Sequence, residues 1–355
     1  MSKSNTKSNS DEQKKTYLIK TDYATEDDLG KIRRFFGNNW CEIQDKQLNN
    51  KQLKYIDWVY VDGKAQWDKR LWKLNIGVFS GLADTGKYAV ADKSELYENY
   101  VKINSENAQK YMMQQINVNL LDKKDVKLLK SAKIKGIFKN NDNNTWILKS
   151  VYGYKGSGIA VVDNYDDMIN HLLVKKRKKT LLKRYQGSDK WVIAKYIGNP
   201  LLIMGKKFHI RMILMYYVNN KTGESNGYLF NDGVIFSAKK KYVVGRYFDK
   251  NIHDSHRIKG EEITFPYGFK DVFGKRKTDK VIKDIAQISH DITQILKANN
   301  AGCYERNENC YQLFGLDIMI DDQFNTKLIE CNSKIGLSGY PNIVGYFKNI
   351  IDITV

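Results

Sequence analysis

Asp317, Glu330 and Asn332 lie in two strand-like runs near the carboxyl end, FGLDIMI at 314–320 and KLIECNS at 327–333. A turn near Asp322, Gln323, Phe324 and Asn325 folds these runs into a hairpin. If residue 321 faces 326, then 317 faces 330, and Glu330 and Asn332 share one strand face. Three hard oxygen ligands then converge. Such a set suits Mg²⁺, which takes one or two carboxylates and completes its shell with water and phosphate oxygens. The competing reading is the polar outer face of an ordinary hairpin.

A second cluster is Lys149, then Lys155-Gly156-Ser157-Gly158-Ile159, between the strand-like TWILKS (145–150) and IAVVD (159–163). Cations and backbone N–H groups on a glycine-rich loop can cover phosphates. The segment is neither a P-loop, which needs G-x-x-x-x-G-K-[ST], nor a dinucleotide fingerprint, whose third glycine is missing. A plain β-hairpin turn would also explain it. A third cluster is Lys206-Lys207-Phe208-His209-Ile210-Arg211. As a strand it places Lys207, His209 and Arg211 on one face and Phe208 and Ile210 on the other. A cationic stripe inside a sheet needs an anionic partner, and phosphate or carboxylate is the natural one. No Ser/His/Asp or Cys/His nucleophilic device is apparent. Cys41, Cys303, Cys310 and Cys331 show no zinc spacing and are expected to be reduced, mostly buried thiols.

The elements that must position these groups read as a mixed α/β (α+β) chain. TYLIK (16–20) is a first strand. Thr25 and Asp28 form a capping box for a helix striped by Leu29, Ile32, Phe35 and Phe36, and YIDWVYVDG (55–63) is a second strand. Residues 93–135 read as a helical, lysine-rich connector. Asn164 caps a helix that opens with Asp166 and Asp167 and closes with KKRKK at 175–179, a charge order that suits the helix dipole. WVIAKYI (191–197), FHIRMILMYYV (208–218) and GYLFNDGVIFSA (227–238) are strands, the last with an Asn-Asp-Gly turn. Val281, Ile282, Ile285, Ile288, Ile292, Ile295 and Leu296 form one helical core stripe. The expected organisation is a disordered tail at 1–15, an amino-terminal α/β domain at 16–105, a central unit at 106–198 and a carboxyl-terminal unit at 199–355.

Lys and Arg number 59 against 40 Asp and Glu, a formal charge of +19 over 355 residues. This favours a polyanionic partner: nucleic acid, an acidic lipid surface or an acidic protein segment. Most of the excess is lysine, a point charge rather than the usual base reader. AT-rich codon usage, consistent with the wealth of Asn, Ile and Tyr, accounts for part of it. No nucleic-acid-binding motif is evident, so an acidic protein segment is the expected partner, with nucleic acid disfavoured and no membrane partner expected. No apolar run reaches the ~20 residues of a membrane helix, and the first residues lack a signal-peptide core. The expected location is the cytoplasm, or the host cytoplasm if the source is a virus.

The order of these pieces resembles the tubulin–tyrosine ligase-like family of the ATP-grasp superfamily. The family's K-P-x4-R/K-G-x-G-I stands here as Lys149-Ser150 and Lys155-Gly156-Ser157-Gly158-Ile159. Its Q-x-Y-I-x-x-P-L-L-I stands as Ala194-Lys195-Tyr196-Ile197-Gly198-Asn199-Pro200-Leu201-Leu202-Ile203. Its K-F-D-x-R is Lys207-Phe208-His209-Ile210-Arg211, and its F-G-x-D and L-x-E-x-N are Phe314-Gly315-Leu316-Asp317 and Leu328-Ile329-Glu330-Cys331-Asn332. The resemblance implies an ATP-grasp fold, with nucleotide held between two β-sheet layers and a small α/β amino-terminal domain.

It further implies that Lys149, Lys155, Gly156 and Gly158 hold the phosphates. Lys195, Tyr196 and Ile197 would frame the adenine, mainly through backbone groups. Lys207 and His209 would complete the ATP site, and Asp317, Glu330 and Asn332 would hold Mg²⁺. Arg211 and Glu330 would be catalytic. The implied reaction joins a free amino acid to a protein carboxylate through an acyl phosphate, on an acidic protein such as the tubulin C-terminal tail. Three positions depart from the family: the hinge glutamine is Ala194, the aspartate of K-F-D-x-R is His209, and the arginine of E-G-V-x-R-T-S falls at Phe236. A ligase is the first expectation. A nucleotide-binding module that holds an acidic protein without turnover is the second, and a basic nucleic-acid-binding protein the third.

Overall fold

A computed structural model of the chain describes residues 14–22, 24–62, 68–138, 144–151, 153, 158–174, 189–245, 249–253, 263–333, 335, 340 and 342–355. The KKRKK run, Lys155 and Gly156 lie outside the described residues.

Two sheets form the frame. The first holds β1 (Lys15–Lys20), β2 (Trp40–Glu42), β3 (Tyr55–Val61), β4 (Asn75–Ser80), β9 (Leu202–Ile203), β10 (Lys206–Asn219), β11 (Ser225–Ser237), β12 (Thr264–Phe265), β13 (Asn307–Ile320) and β14 (Thr326–Asn332). Its main path runs β12-β11-β10-β13-β4-β3-β1-β2, with β14 on β13 and β9 on β10. The second holds β5 (Gln115–Asn119), β6 (Trp146–Ser150), β7 (Ile159–Val162) and β8 (Lys190–Lys195), in the order β5-β8-β6-β7. All its described pairings are antiparallel. The amino-terminal strands pair in parallel, and β4 joins β13, so the α/β start of the chain continues the sheet that carries Asp317.

Helices cover both faces of the large sheet. In order the helices are α1 (Glu26–Arg33), α2 (Asp84–Ala91), α3 (Lys93–Ile103), α4 (Ser105–Tyr111), α5 (Lys123–Leu129), α6 (Ala132–Ile137), α7 (Tyr165–Ile169), α8 (Lys250–His253), α9 (Tyr267–Phe273), α10 (Lys275–Ala298) and α11 (Ile343–Thr354). Of these, α5, α6 and α7 pack instead on the second sheet. Thr25 and Asp28 cap α1 reciprocally, as expected, and Asn164 accepts from the Asp167 N–H at the start of α7. In α10, Val281, Ile285, Ile288, Ile292, Ile295 and Leu296 are buried, while Ile282 is turned to solvent. Each such buried side chain contributes about 1.5–3 kcal/mol.

The same helix buries two acids that tie it to its neighbours. Asp291 accepts from the Tyr100 hydroxyl at 2.8 Å and from Asn107 Nδ2 at 2.7 Å, fixing α3 and α4. Asp284 accepts from Thr326 Oγ1 at 3.0 Å, fixing the start of β14.

Four expectations are corrected. The stretch 93–135 is not continuously helical, because Gln115–Asn119 is strand β5, edge-paired to β8. Asn231-Asp232-Gly233 is not a turn. It lies inside β11 at a bulge, where pairing steps from Met212↔Gly233 to Leu214↔Leu229. The hairpin register near its turn is Ile320↔Thr326 rather than 321 facing 326, and a bulge at Ile329 then restores Asp317↔Glu330. Cys303 and Cys310 are joined in a disulfide, while Cys41 is an exposed thiol and Cys331 a buried one. No helix among the described residues is long and apolar enough to cross a membrane.

Candidate functional site

The antiparallel ladder of β13 and β14 sets Asp317 directly opposite Glu330 and Gly315 opposite Asn332. Asn332 Nδ2 donates to Asp317 Oδ2 and to Glu330 Oε1, each at 3.1 Å. The three side chains therefore meet at one point, as the strand spacing predicts. A single amide nitrogen held by two carboxylates marks a place where a hard cation would be held by the same oxygens. Rotation of the amide would present Asn332 Oδ1. Two carboxylates and an amide are a partial shell, which fits Mg²⁺ that keeps water and phosphate oxygens.

Cations surround this pair. On β10, Arg211 faces Asp317 across the ladder. Its Nε donates to Oδ1 at 2.6 Å and its Nη2 to Oδ2 at 2.7 Å, a bidentate fork. The carboxylate opposite holds the guanidinium above its ordinary pKa, against the opposing effect of burial. From the second sheet, Lys149 on β6 comes within electrostatic range of Glu330 and Asp317. Burial lowers its pKa, an effect that the two acids oppose and nearby Lys93 reinforces. The site thus lies between the layers, with its acids on one sheet and Lys149 on the other.

Lys93 was not singled out for chemistry by the sequence. It opens α3, donates to the Gly153 carbonyl at 3.1 Å, and its Nζ lies 4.0 Å from Glu330 Oε2. It thereby ties the start of the glycine loop to the acid pair.

At the far end of that loop, Gly158 has φ +72° and begins the return strand. A Cβ there would stand 2.7 Å from Ser150 Cβ, so both conformation and space require glycine.

The remaining candidates group around the hinge. Lys207 Nζ donates to the Tyr196 hydroxyl at 2.8 Å, and Tyr196 shares a 2.7 Å hydrogen bond with His253 Nδ1. Lys195 lies over the Trp146 ring, 5.1 Å from its centre. The N–H groups of Lys195 and Tyr196 donate to the Gln114 and Thr145 carbonyls. Ile197 is buried beside them. The chain then crosses to the large sheet, where Leu201 N–H donates to the Ile320 carbonyl.

His209 and Phe236 face each other across β10 and β11, with rings stacked at 5.2 Å. The Arg211 guanidinium carbon lies 5.3 Å from the same Phe236 ring, and His209 Nε2 lies 3.9 Å from Asp317 Oδ1. Lys239, Lys240 and Lys241 are exposed, and Lys240 pairs with Asp249 at 3.4 Å.

The Tubulin-tyrosine ligase family profile matches residues 85–334. The chain belongs to the tubulin–tyrosine ligase family. It is 27% identical over 169 residues to a probable tubulin–tyrosine ligase of Schizosaccharomyces pombe, covering 46% of this chain and 39% of that protein. It is 26% identical over 218 residues to a probable tubulin polyglutamylase of Caenorhabditis elegans, covering 57% and 48%. With tubulin glycylase 3C of Tetrahymena thermophila it shares 28% identity over 209 residues, covering 54% and 18%. The chain spans half or less of the length of these curated relatives. The two-sheet α/β architecture agrees with the ATP-grasp-like fold of this family.

Proposed function

We propose that this chain is an ATP-dependent carboxylate–amine ligase that adds an amino acid to an acidic protein segment, with the tubulin C-terminal tail as the first acceptor to test. The observation that carries this reading is the convergence of Asp317, Glu330 and Asn332 opposite Lys149. Lys149 and Lys93 would hold the transferring phosphate, and the Gly158 end of the loop would lie over it. The carbonyls of the 195–197 hinge would frame the adenine. Asp317, Glu330 and Asn332 would hold Mg²⁺. Bound there, Mg²⁺ would neutralise charge on the phosphate oxygens. Arg211, fixed by Asp317, would meet the developing acyl phosphate. The amine then displaces phosphate, and such chemistry needs positioning and charge neutralisation more than a protein nucleophile. The +19 charge would steer an acidic acceptor towards the site.

Intact-mass spectrometry of tubulin and acidic tail peptides, after incubation with Mg-ATP and all the amino acids, tests this. A discrete mass increment that Glu330→Gln abolishes is expected. Full activity in Glu330→Gln would sink the metal assignment. A second reading rests on Phe236, which stands where the family carries arginine: the chain binds nucleotide and an acidic protein without turnover. ATP binding with no product on any acceptor favours that reading.

A further inference from the structure

The Cys303–Cys310 bridge joins the connection after α10 to the fourth residue of β13. Its two sulfurs stand in different surroundings. Cys310 is 0% exposed, paired in the ladder with Val218 of β10 and Phe79 of β4. Cys303 is half-buried and lines a cavity of about 640 Å³, whose lining does not include Cys310. A small molecule in the cavity therefore meets one sulfur of the bridge and not the other.

The residues between the two cysteines form the cavity's rim. Tyr304, Glu305 and Arg306 are exposed there. The Asn307 N–H donates to the Tyr304 carbonyl at 2.9 Å, and Arg306 Nη1 donates to the Lys73 carbonyl at 3.2 Å. The Tyr304 ring stands edge-on to Phe79, with centroids 6.3 Å apart. Such contacts at the surface open readily, so the bridge is the restraint that holds the rim to β13. Behind the rim, the cavity reaches Ile335. A Cβ at Gly315 would stand 2.6 Å from Ile335 Cγ2 and 3.3 Å from Arg211 Cδ, so one layer of side chains separates the cavity from Arg211.

We propose that the bridge is a thiol-exchange site, at which a low-molecular-weight thiol enters the cavity, bonds to Cys303 and unlocks the rim. The proposal goes beyond the ligase reading and does not depend on it. The incoming thiol gives its proton to water, and its thiolate attacks Cys303 Sγ. A new S–S bond forms, the old one breaks, and the electron pair leaves on Cys310 Sγ, which takes a proton from water. The product carries the thiol on Cys303 and a free thiol on Cys310. The leaving sulfur emerges in the apolar interior, where a thiolate is poorly solvated, so exchange is slower than at an open bridge. The ladder keeps Cys310 beside Cys303, and its attack on the mixed disulfide restores the bridge and expels the thiol. The exchange is thus reversible.

Reduced glutathione under anaerobic, mildly alkaline conditions tests this on the full chain. Without an oxidant it cannot add to the free thiols Cys41 and Cys331, so any adduct reports the bridge. After acid quenching, intact-mass spectrometry finds one whole glutathione per chain. Peptide mapping after N-ethylmaleimide labelling puts glutathione on Cys303 and the label on Cys310, at least about tenfold over the reverse. Hydrogen exchange at residues 303–306 quickens at least about tenfold, while the strand around Asp317 keeps its protection.

Ala83→Trp sets an indole in the cavity wall beside Gly302, whose carbonyl accepts from the Ala83 N–H. It slows the adduct at least about fivefold and leaves alkylation of exposed Cys41 unchanged. Tyr304→Ala removes a rim ring and quickens the adduct about threefold. No adduct under conditions that modify the urea-unfolded chain overturns the proposal. So does an adduct chiefly on Cys310, or rim exchange that the adduct leaves unchanged. Wild-type kinetics in Ala83→Trp with Cys331 still protected overturn it as well. Should Ala83→Trp expose Cys331, Tyr304→Ala decides, and an adduct no faster than wild type overturns it.

Discussion

Arg211 and Asp317 form the most demanding interaction of the site. Their side chains are 18% and 4% exposed, so water screens the pair little. Arg211→Met removes two charge-assisted hydrogen bonds, of 2.6 and 2.7 Å, and leaves a carboxylate in the interior. Hydrogen bonds to charged groups contribute about 1.5–3 kcal/mol each, and orphaning one partner of a buried ion pair costs about 3–5 kcal/mol. Lys149 lies within electrostatic range of Asp317 and softens the loss. The expected cost is therefore about 3 kcal/mol, or a fall in Tm of roughly 6 °C at ~2 °C per kcal/mol. Adding Asp317→Asn removes the orphaned charge and recovers about 2 kcal/mol, a coupling that a double-mutant cycle isolates. Melting curves and denaturant titrations of wild type, both single variants and the double variant measure these terms. The reasoning fails if Arg211→Met melts within about 2 °C of wild type, or if the double variant is no more stable than Arg211→Met.

Lys149 sets a pH dependence. Burial holds its pKa below 10.5, so in the window between its folded value and 10.5 the unfolded chain binds more protons and stability rises with pH. Nucleotide phosphates favour its charged form. ATP binding takes up protons in that window, measurable by calorimetry in buffers of different ionisation enthalpy, and Lys149→Met abolishes the uptake. Asp317 and Glu330 carry two negative charges against the three cations Arg211, Lys149 and Lys93. At the proposed site Mg²⁺ alone is therefore expected to bind weakly and to arrive with ATP, so calorimetric Mg²⁺ binding without nucleotide at micromolar affinity would contradict the charge balance. Gly158→Ala adds a Cβ at φ +72° and 2.7 Å from Ser150, whereas Gly223→Ala adds one at φ +73° in open space. The first is expected to lower ATP affinity at least about tenfold and the second to leave it unchanged, since only the first crowds Ser150 at the end of the loop proposed to cover the phosphates.

The meeting of Asp317, Glu330 and Asn332 was legible in the sequence where its geometry is local. Glu330 and Asn332 lie two apart on one strand, and the two apolar runs around them fix a hairpin. The pairing with Asp317 was reached through a turn register one residue out, which the bulge at Ile329 offsets. A bulge leaves no trace in a period-two pattern, so neither this one nor that at Asn231-Asp232-Gly233 could be read in advance. Strand β5, QINVN, has two apolar residues in five and merged with the helices around it. Lys93 and the Cys303–Cys310 disulfide depend on long-range folding. Lys93 reaches the site because Tyr100, seven residues on, is held by Asp291 of α10. The cysteines meet where the chain returns from α10 into β13.

The two departures at His209 and Phe236 meet at one place in the fold. The register places them directly opposite each other on β10 and β11. The family motifs put aspartate and arginine at these positions, and residues that face each other in this way can pair as opposite charges. Replacing the arginine alone would leave an aspartate uncompensated in a buried position, since His209 is 3% exposed, at a cost of about 3–5 kcal/mol. Replacing both exchanges an ion pair for two stacked rings and leaves no such orphan. Phe236 also presents its ring to the guanidinium that grips Asp317, so the exchange supports the arginine that remains. The lost guanidinium changes what the site can hold beyond Arg211, while the acid pair and Lys149 keep their relation. On the proposed reading, the two departures lie on the substrate side of the site, away from the residues proposed to hold phosphate and metal. Phe236→Arg alone should destabilise the fold, and His209→Asp with Phe236→Arg should restore it. If the double variant melts no higher than Phe236→Arg, the two positions are not a pair.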